Sequence, residues 1–330
     1  MNKIHDSFIY KVVSFIWRKT YIQYKEFLRE KKYRKYWEEH RVSLGNQNED
    51  LNFFIIRRRE PYIGLFSFYI TSVFQVNKAL EMGYIPIIDL QNNENIYLNQ
   101  NQIGRVNAWE YYFKQPCGYN LNDIKHSKNI ILGSGYVKEM FPYNDINYLL
   151  DKNGEIRKWK EIARKYFCLS EAATHKIECI YNSFLGERVL WVLCRGTDYT
   201  SSQPSGHHRQ PSLDELFIKV DEVIIVHQCT KIFLGTEDIL IYKKFKEKYG
   251  EKVYTNRKKF VEYHGEKSIG KVVINEVSDK YEEGMDYLVA IAVLSKCNCF
   301  IGGHTSGTVG VILMNKEFDY CYIFDLGLYN

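Results

Sequence analysis

The strongest constraint on this chain is an alternation over residues 189–324, where short apolar runs take turns with longer helical stretches. Val189 to Cys194 reads as a strand buried on both faces, because six consecutive apolar residues leave no polar side. A helix over 213–228 follows, then strand 231–235, helix 239–249 and a short strand at Val253-Tyr254. Helix 285–296, strand 298–301, helix 307–314 and strand 320–324 complete the pattern. Strands separated by helices pair in parallel, so this half predicts a doubly wound parallel sheet. The first half carries a similar unit. Strand 53–57 leads into a helix opened by Gly64 and stopped by Gly83, strand 85–89 follows, and a further strand lies near 130–133. The proline-free stretch 155–184 is expected to be one long helix joining the halves. A chain of 330 residues is also long enough for two domains.

In open α/β sheets, ligands sit outside the carboxyl ends of the strands. The 189–194 run breaks at that end into Arg195-Gly196-Thr197-Asp198-Tyr199, and an arginine fork there matches phosphate or carboxylate oxygens. A second strand end, Gly302-Gly303-His304-Thr305-Ser306-Gly307, opens directly into a helix, whose first-turn N–H groups and dipole favour an anion. Thr305 and Ser306 serve equally as N-caps, and capping and phosphate binding are compatible. Gly64 either brings backbone against the same ligand or makes an ordinary tight turn. Asp286 either accepts two N–H donors from a base such as guanine or is a surface carboxylate near a helix start. Thr236, Glu237 and Asp238 follow strand 231–235, again as ligand groups or as helix-start residues.

On the substrate side, the turn-rich loop 200–211 holds His207 and His208 and reads as a mobile cover over a sugar pocket. Tyr199 lies just before it. The aromatic segment around Trp109 and Glu110 either stacks on sugar rings or anchors a core. Asp198 and Glu110 are candidates for a general base, Asp198 alternatively orienting Arg195.

Other chemistries lack support. There is no GxxxxGK[ST], no GxGxxG after the first strand and no GxSxG. Adjacent His207 and His208 are poorly spaced to chelate one metal, so no metal site is expected. The eight cysteines form no CxxC pair and several sit in apolar runs, which suits a reduced, cytoplasmic protein. No run of 18 apolar residues is present. Residues 1–41 hold 11 of the 45 Lys/Arg and 5 of the 40 Asp/Glu, which leaves the remainder close to neutral. A basic body for nucleic acid is therefore absent. The surplus belongs to a helical pattern over 5–40, read either as a helix on an anionic membrane surface or as a surface helix packed on the first domain.

Taken in order, these residues resemble the fucosyltransferase superfamily that includes nodulation and core α1,6-fucosyltransferases and protein O-fucosyltransferases. Cys194 to Tyr199 resembles its first motif, a strand end of the form H-x-R-R-x-D, and Gly235-Thr236-Glu237-Asp238 its threonine–aspartate motif. Asp286 to Lys296, then Phe300 to Gly307, is similar to its last motif. The resemblance covers 189–314 well and 53–90 more weakly, where Gly64 matches a glycine-opened helix; it does not reach 1–50. It implies the GT-B architecture of two facing Rossmann-like domains, a GDP-sugar donor, inversion at the anomeric carbon and no required metal or other cofactor. The corresponding division is a basic N-terminal segment over 1–50, an acceptor-side domain over 51–180 and a donor-binding domain over 181–330. By position, Arg195 would hold the β-phosphate and stabilise departing GDP, Ser306 and Gly307 would touch the other phosphate, Asp286 the guanine, and Gly64 the diphosphate from the opposite side. Gly196 stands where the motif has a second arginine, Leu193 where it has histidine and Glu237 where it has aspartate. The expectation is an inverting fucosyltransferase-like enzyme acting on a surface-polysaccharide or lipid-linked glycan, on the inner face of the cytoplasmic membrane. Its rivals are the same fold with another nucleotide sugar and a non-catalytic nucleotide- or glycan-binding module.

Overall fold

The structure is a computed structural model and describes residues 33–137, 139–151, 154–196, 203–261, 279–296, 298–315 and 317–330, with residues 21, 24, 25, 28, 30 and 31. Two sheets organise these residues. The first contains β1 (His40–Val42), β2 (Gln47–Ile56), β3 (Ile85–Ile88) and β4 (Ser127–Leu132), in the spatial order β1-β4-β2-β3. β2 runs parallel to both β3 and β4, while β1 pairs antiparallel on the outer side of β4. The second sheet contains β5 (Val189–Leu193), β6 (Lys231–Gly235), β7 (Val253–Tyr254), β8 (Cys299–Gly303) and β9 (Tyr320–Phe324). Its order is β7-β6-β5-β8-β9, with every pairing parallel. The expected α/β class, two facing halves with mainly parallel sheets, is thus what the chain adopts.

Each sheet has one point where the chain order reverses. The second sheet starts at its centre with β5, builds outward through β6 and β7, then returns to add β8 and β9 on the other side. Its reversal lies between β5 and β8. The first sheet does the same around β2, with β3 on one side and β4 on the other. Such reversals leave a crevice at the carboxyl ends of the strands, where the following loops part.

The helices that bring the two crevices together are α1 (Leu65–Glu81) and α9 (Ser306–Met314), numbered among α2 (Trp109–Tyr112), α3 (Ile146–Leu149), α4 (Arg157–Tyr166), α5 (Glu171–Asn182), α6 (Leu213–Val226), α7 (Ile239–Tyr249) and α8 (Lys280–Leu294). α9 is buried from Gly307 through Leu313, so it lies inside the protein and not on its surface. α1 crosses it closely. The Phe66 ring sits where a side chain on Gly310 would be, so only glycine permits this approach. One apolar cluster then runs through both halves, including Phe66 of α1, Trp191 of β5 and Val309 of α9.

Three expectations change here. The stretch 155–184 is two helices, α4 and α5, because the Ser170 hydroxyl accepts the Ala173 N–H at 3.2 Å and starts a new helix. The first sheet reaches back to His40, within the span assigned to the N-terminal segment; β1 is three residues long and half exposed, which leaves no apolar run to read. α8 begins at Lys280, five residues before the predicted start, where the Asp279 side chain accepts the Glu282 N–H. Of the expected basic helix, residues 1–20 lie outside the described residues. Tyr21, Tyr24, Lys25, Leu28 and Tyr33 to Tyr36 are helical and exposed, whereas Trp37 is buried with the Arg57 guanidinium 5.1 Å from its ring. No helix among the described residues is long and apolar enough to cross a membrane.

Candidate active site

The carboxyl ends of both sheets open onto one cleft of about 680 Å³. The first half contributes residues 62–64, the start of α1 and Tyr97; the second contributes the ends of β5, β6 and β8 and one side of α8. Arg195 follows β5 at the reversal point. Its Nε lies 3.4 Å from Oε1 of Glu237, and 24% of its side chain is exposed. The same carboxylate oxygen accepts the Gly196 N–H at 3.3 Å. One acidic residue after β6 therefore orients both the guanidinium and the backbone beside it. Desolvation pushes the neighbouring Cys194 thiol far above its ordinary range, so it is an inert packing residue.

Gly196 is glycine for a steric reason. A Cβ at this position would overlap the Asp238 carboxylate and the Ile241 side chain. Asp238 is buried, and its Oδ1 accepts the Leu240 N–H at 2.7 Å and the Ile241 N–H at 3.3 Å, which caps α7. The second arginine of the resembled motif could be placed here only if Asp238 and Ile241 shifted.

Across the reversal, β8 ends in Gly302-Gly303 and α9 starts at Thr305. The Thr305 hydroxyl accepts the Thr308 N–H at 3.2 Å, so Thr305 is the N-cap and Ser306 the first helical residue. His304, Thr305 and Ser306 all line the cleft. α1 starts differently. Gly64 has extended backbone (φ −69°, ψ 152°) and makes no side-chain cap. A Cβ there would meet no protein atom within 4 Å, so the open space belongs to the cleft. The Tyr97 hydroxyl on the same cleft is buried, which drives its pKa well above the usual value.

At the other end, Asp286 of α8 faces the cleft beside Arg257, which follows β7. Burial lifts the Asp286 carboxyl above the usual range, against the pull of Arg257 and with a push from Glu282 and Glu283. Arg257 is ion-paired with Glu283, and its Nε donates to the Lys259 carbonyl at 2.8 Å. Asn256 donates to the Asp286 carbonyl at 2.7 Å, which ties the loop after β7 to α8.

Of the residues predicted from sequence, the cleft collects Gly64, Arg195, Thr236, Glu237, Asp286, His304, Thr305, Ser306 and His207. Gly196, Asp238 and Gly307 support its wall without lining it. Asp198 and Tyr199 lie outside the described residues. Trp109 and Glu110, expected as sugar contacts, are not on the cleft. Trp109 is 0% exposed, stacked on Phe113 at 4.6 Å and edge-on to Phe68 and Phe167. α2 packs against α5 and α8, and a single turn so rich in rings fills that gap as core. Glu110 points outward and accepts from the Gln115 amide at 3.0 Å. Sequence reasoning missed Arg257, which obeys the same rule as Arg195, a cation after a parallel strand. The short strand before it was read at Val253-Tyr254, but nothing in that reading singled out the arginine three residues further on. It also missed Tyr97, whose loop has no periodicity. Among the described residues, no group of three or more His, Cys, Asp or Glu is placed to hold a metal ion.

No protein-family model matches this chain, and no curated protein matches it. Among solved structures it is similar to the fucosyltransferase NodZ from Bradyrhizobium, with 14% identity over 83% of this chain and 95% of that one, and a TM-score of 0.48. It is also similar to POFUT1 in complex with GDP (13% identity, 84% and 99% covered, TM-score 0.47) and to NodZ alpha-1,6-fucosyltransferase soaked with GDP-fucose (15%, 80% and 93%, 0.45). At such values what the cleft does must be read from its own residues.

Proposed function

We propose that this chain is a glycosyltransferase that takes a sugar from a nucleoside diphosphate donor, GDP-fucose by its motifs, and passes it with inversion to a glycan acceptor. One observation carries the reading. Arg195 and the α9 N-terminus flank the reversal of the second sheet, and the glycine-opened start of α1 faces the same cleft from the other half. This arrangement suits a diphosphate held between two helix starts and a cation. When the bond from the anomeric carbon to the phosphate oxygen breaks, negative charge builds on the departing diphosphate. A guanidinium already oriented by Glu237, with the first-turn amides of α9, stabilises that charge without having to reorganise. The reaction then asks for no metal. Asp286 and Arg257, at the far end, offer a carboxylate and a fork for the edge of a base.

The acceptor we infer is a surface-polysaccharide or lipid-linked glycan met at an anionic membrane surface on the cytoplasmic side. In support, Tyr21, Tyr24 and Leu28 stand at helical spacing, all exposed, with Lys25, Lys31 and Lys35 among them.

Thermal shift and calorimetry with GDP, UDP, ADP and CDP and their sugars test the donor. Stabilisation by GDP and GDP-fucose above the others supports the proposal, and release of GDP from GDP-fucose in the presence of glycan completes it. A chain that responds to none of these nucleotides is not a nucleotide-sugar enzyme.

A further inference from the structure

Along one rim of the cleft, a chain of contacts runs from the C-terminal tail across to the first half of the molecule. Segment 203–211 pairs with residues 327–329. The Gly206 N–H donates to the Tyr329 carbonyl at 3.0 Å, the Tyr329 N–H to the His207 carbonyl at 2.8 Å, and the Arg209 N–H to the Gly327 carbonyl at 2.9 Å. The Gln210 N–H adds a bond to the Tyr329 hydroxyl at 3.3 Å, and its side-chain amide donates to the His304 carbonyl at 3.3 Å. From this ladder the His208 ring lies on His304, with centroids 3.7 Å apart and planes tilted by 31°. His304 Nε2 is 2.9 Å from the carbonyl of Tyr143, which belongs to the first half.

A carbonyl only accepts, so Nε2 of His304 carries a proton, and in the neutral ring Nδ1 is bare; the tautomer is assigned from its partner. His304 is 3% exposed. Neither its Nδ1 nor that of His208 has a hydrogen-bond partner among the described residues, and both atoms are buried. Two stacked rings in that setting resist charge, because burial disfavours the imidazolium and each ring repels a charged neighbour. The charge of Asp325 favours protonation of both rings, as the Tyr143 carbonyl does at His304, while His207 opposes it at His208. Burial outweighs Asp325: His208 is lowered, and His304 is pushed down to about 4 by desolvation and by His208.

We propose that His208 and His304 are positioning residues for the donor. While neutral they clasp segment 203–211 and the C-terminal tail against Tyr143, and proton uptake opens that clasp and with it the cleft wall beside α9. The effect on donor binding rests on the function proposed above; the clasp itself does not. The sign follows from the lowered values. A ring that binds its proton less tightly when clasped than when released holds the clasp fully above its ordinary 6.5. The clasp weakens as pH falls below that value and is lost on approach to about 4.

Hydrogen exchange on the full chain reads the clasp without any ligand. Protection of the Gly206, Arg209 and Tyr329 amides, corrected for intrinsic exchange, should drop about tenfold per pH unit below the mid-6 range if one proton is taken up per opening. GDP affinity should weaken later, once the open form is a sizeable share of the protein at the acid end of this range. His304→Gln keeps a side-chain N–H donor for the Tyr143 carbonyl, and His208→Phe keeps the stack; neither residue introduced titrates here. The double variant should show protection and GDP affinity that are flat over this range. Wild-type amides equally protected at about pH 7.5 and about pH 5 would overturn the clasp. So would a folded double variant that opens as steeply as wild type. If the amides open with acid but GDP binds at no pH, the donor reading fails and the clasp stands.

Discussion

The two helices that meet in the cleft begin in different ways. α9 is finished locally: Thr305 caps it from three residues away, and Arg195 stands on the adjoining strand end. α1 has no side-chain cap, and the place of a Cβ on Gly64 is left empty. One end is built for the helix as well as for a ligand. The other has a gap that the protein itself does not fill, which is what close backbone approach by a ligand requires. The lesson is that stability and binding should separate at α1 and overlap at α9.

The sharpest way to break this comparison is Arg195→Ala. Its kcat should fall by about 10²–10³, or roughly 2.7–4 kcal/mol, with an unchanged circular dichroism spectrum. Near-normal turnover would remove the α9 side from the site altogether. Gly310→Ala comes next, because its methyl group meets the Phe66 ring at the crossing of α1 and α9. Overpacking of this kind destabilises by about 1–3 kcal/mol, which a urea titration would show as a lower midpoint. At α1 itself, Gly64→Ala should leave the unfolding midpoint within about 0.5 kcal/mol of wild type while weakening GDP binding about tenfold. If instead it unfolds the protein and spares binding, the gap is not a ligand's. The smallest effect is that of Thr305→Ala, which loses the cap of α9 and about 1 kcal/mol of stability, measurable by the same titration.

Which of these features could be read from sequence depends on how local they are. The central strands of the second sheet were legible because they are buried on both faces, as in the continuously apolar run Val189 to Leu193. Asp238 at the start of α7 left two readings open, and its cap bonds to Leu240 and Ile241 show it closing the helix start. The break between α4 and α5 was missed, although Ser170 is a cap residue, because the flanking stretch is helical on both sides. The aromatic run at Trp109 left two readings open. Burial decided for core, since nothing in the run itself says which side its neighbours occupy.

The sequence by itself determined the second half's alternation, the arginine after β5 and the glycine–hydroxyl passage into α9, because burial of a strand and the start of a helix are settled within a few residues. Tertiary structure alone decided that Arg257, Tyr97 and Tyr143 converge on the same cleft. Their meeting depends on α1 crossing α9 at Gly310, and a close approach between helices from opposite halves leaves no periodic trace along the chain.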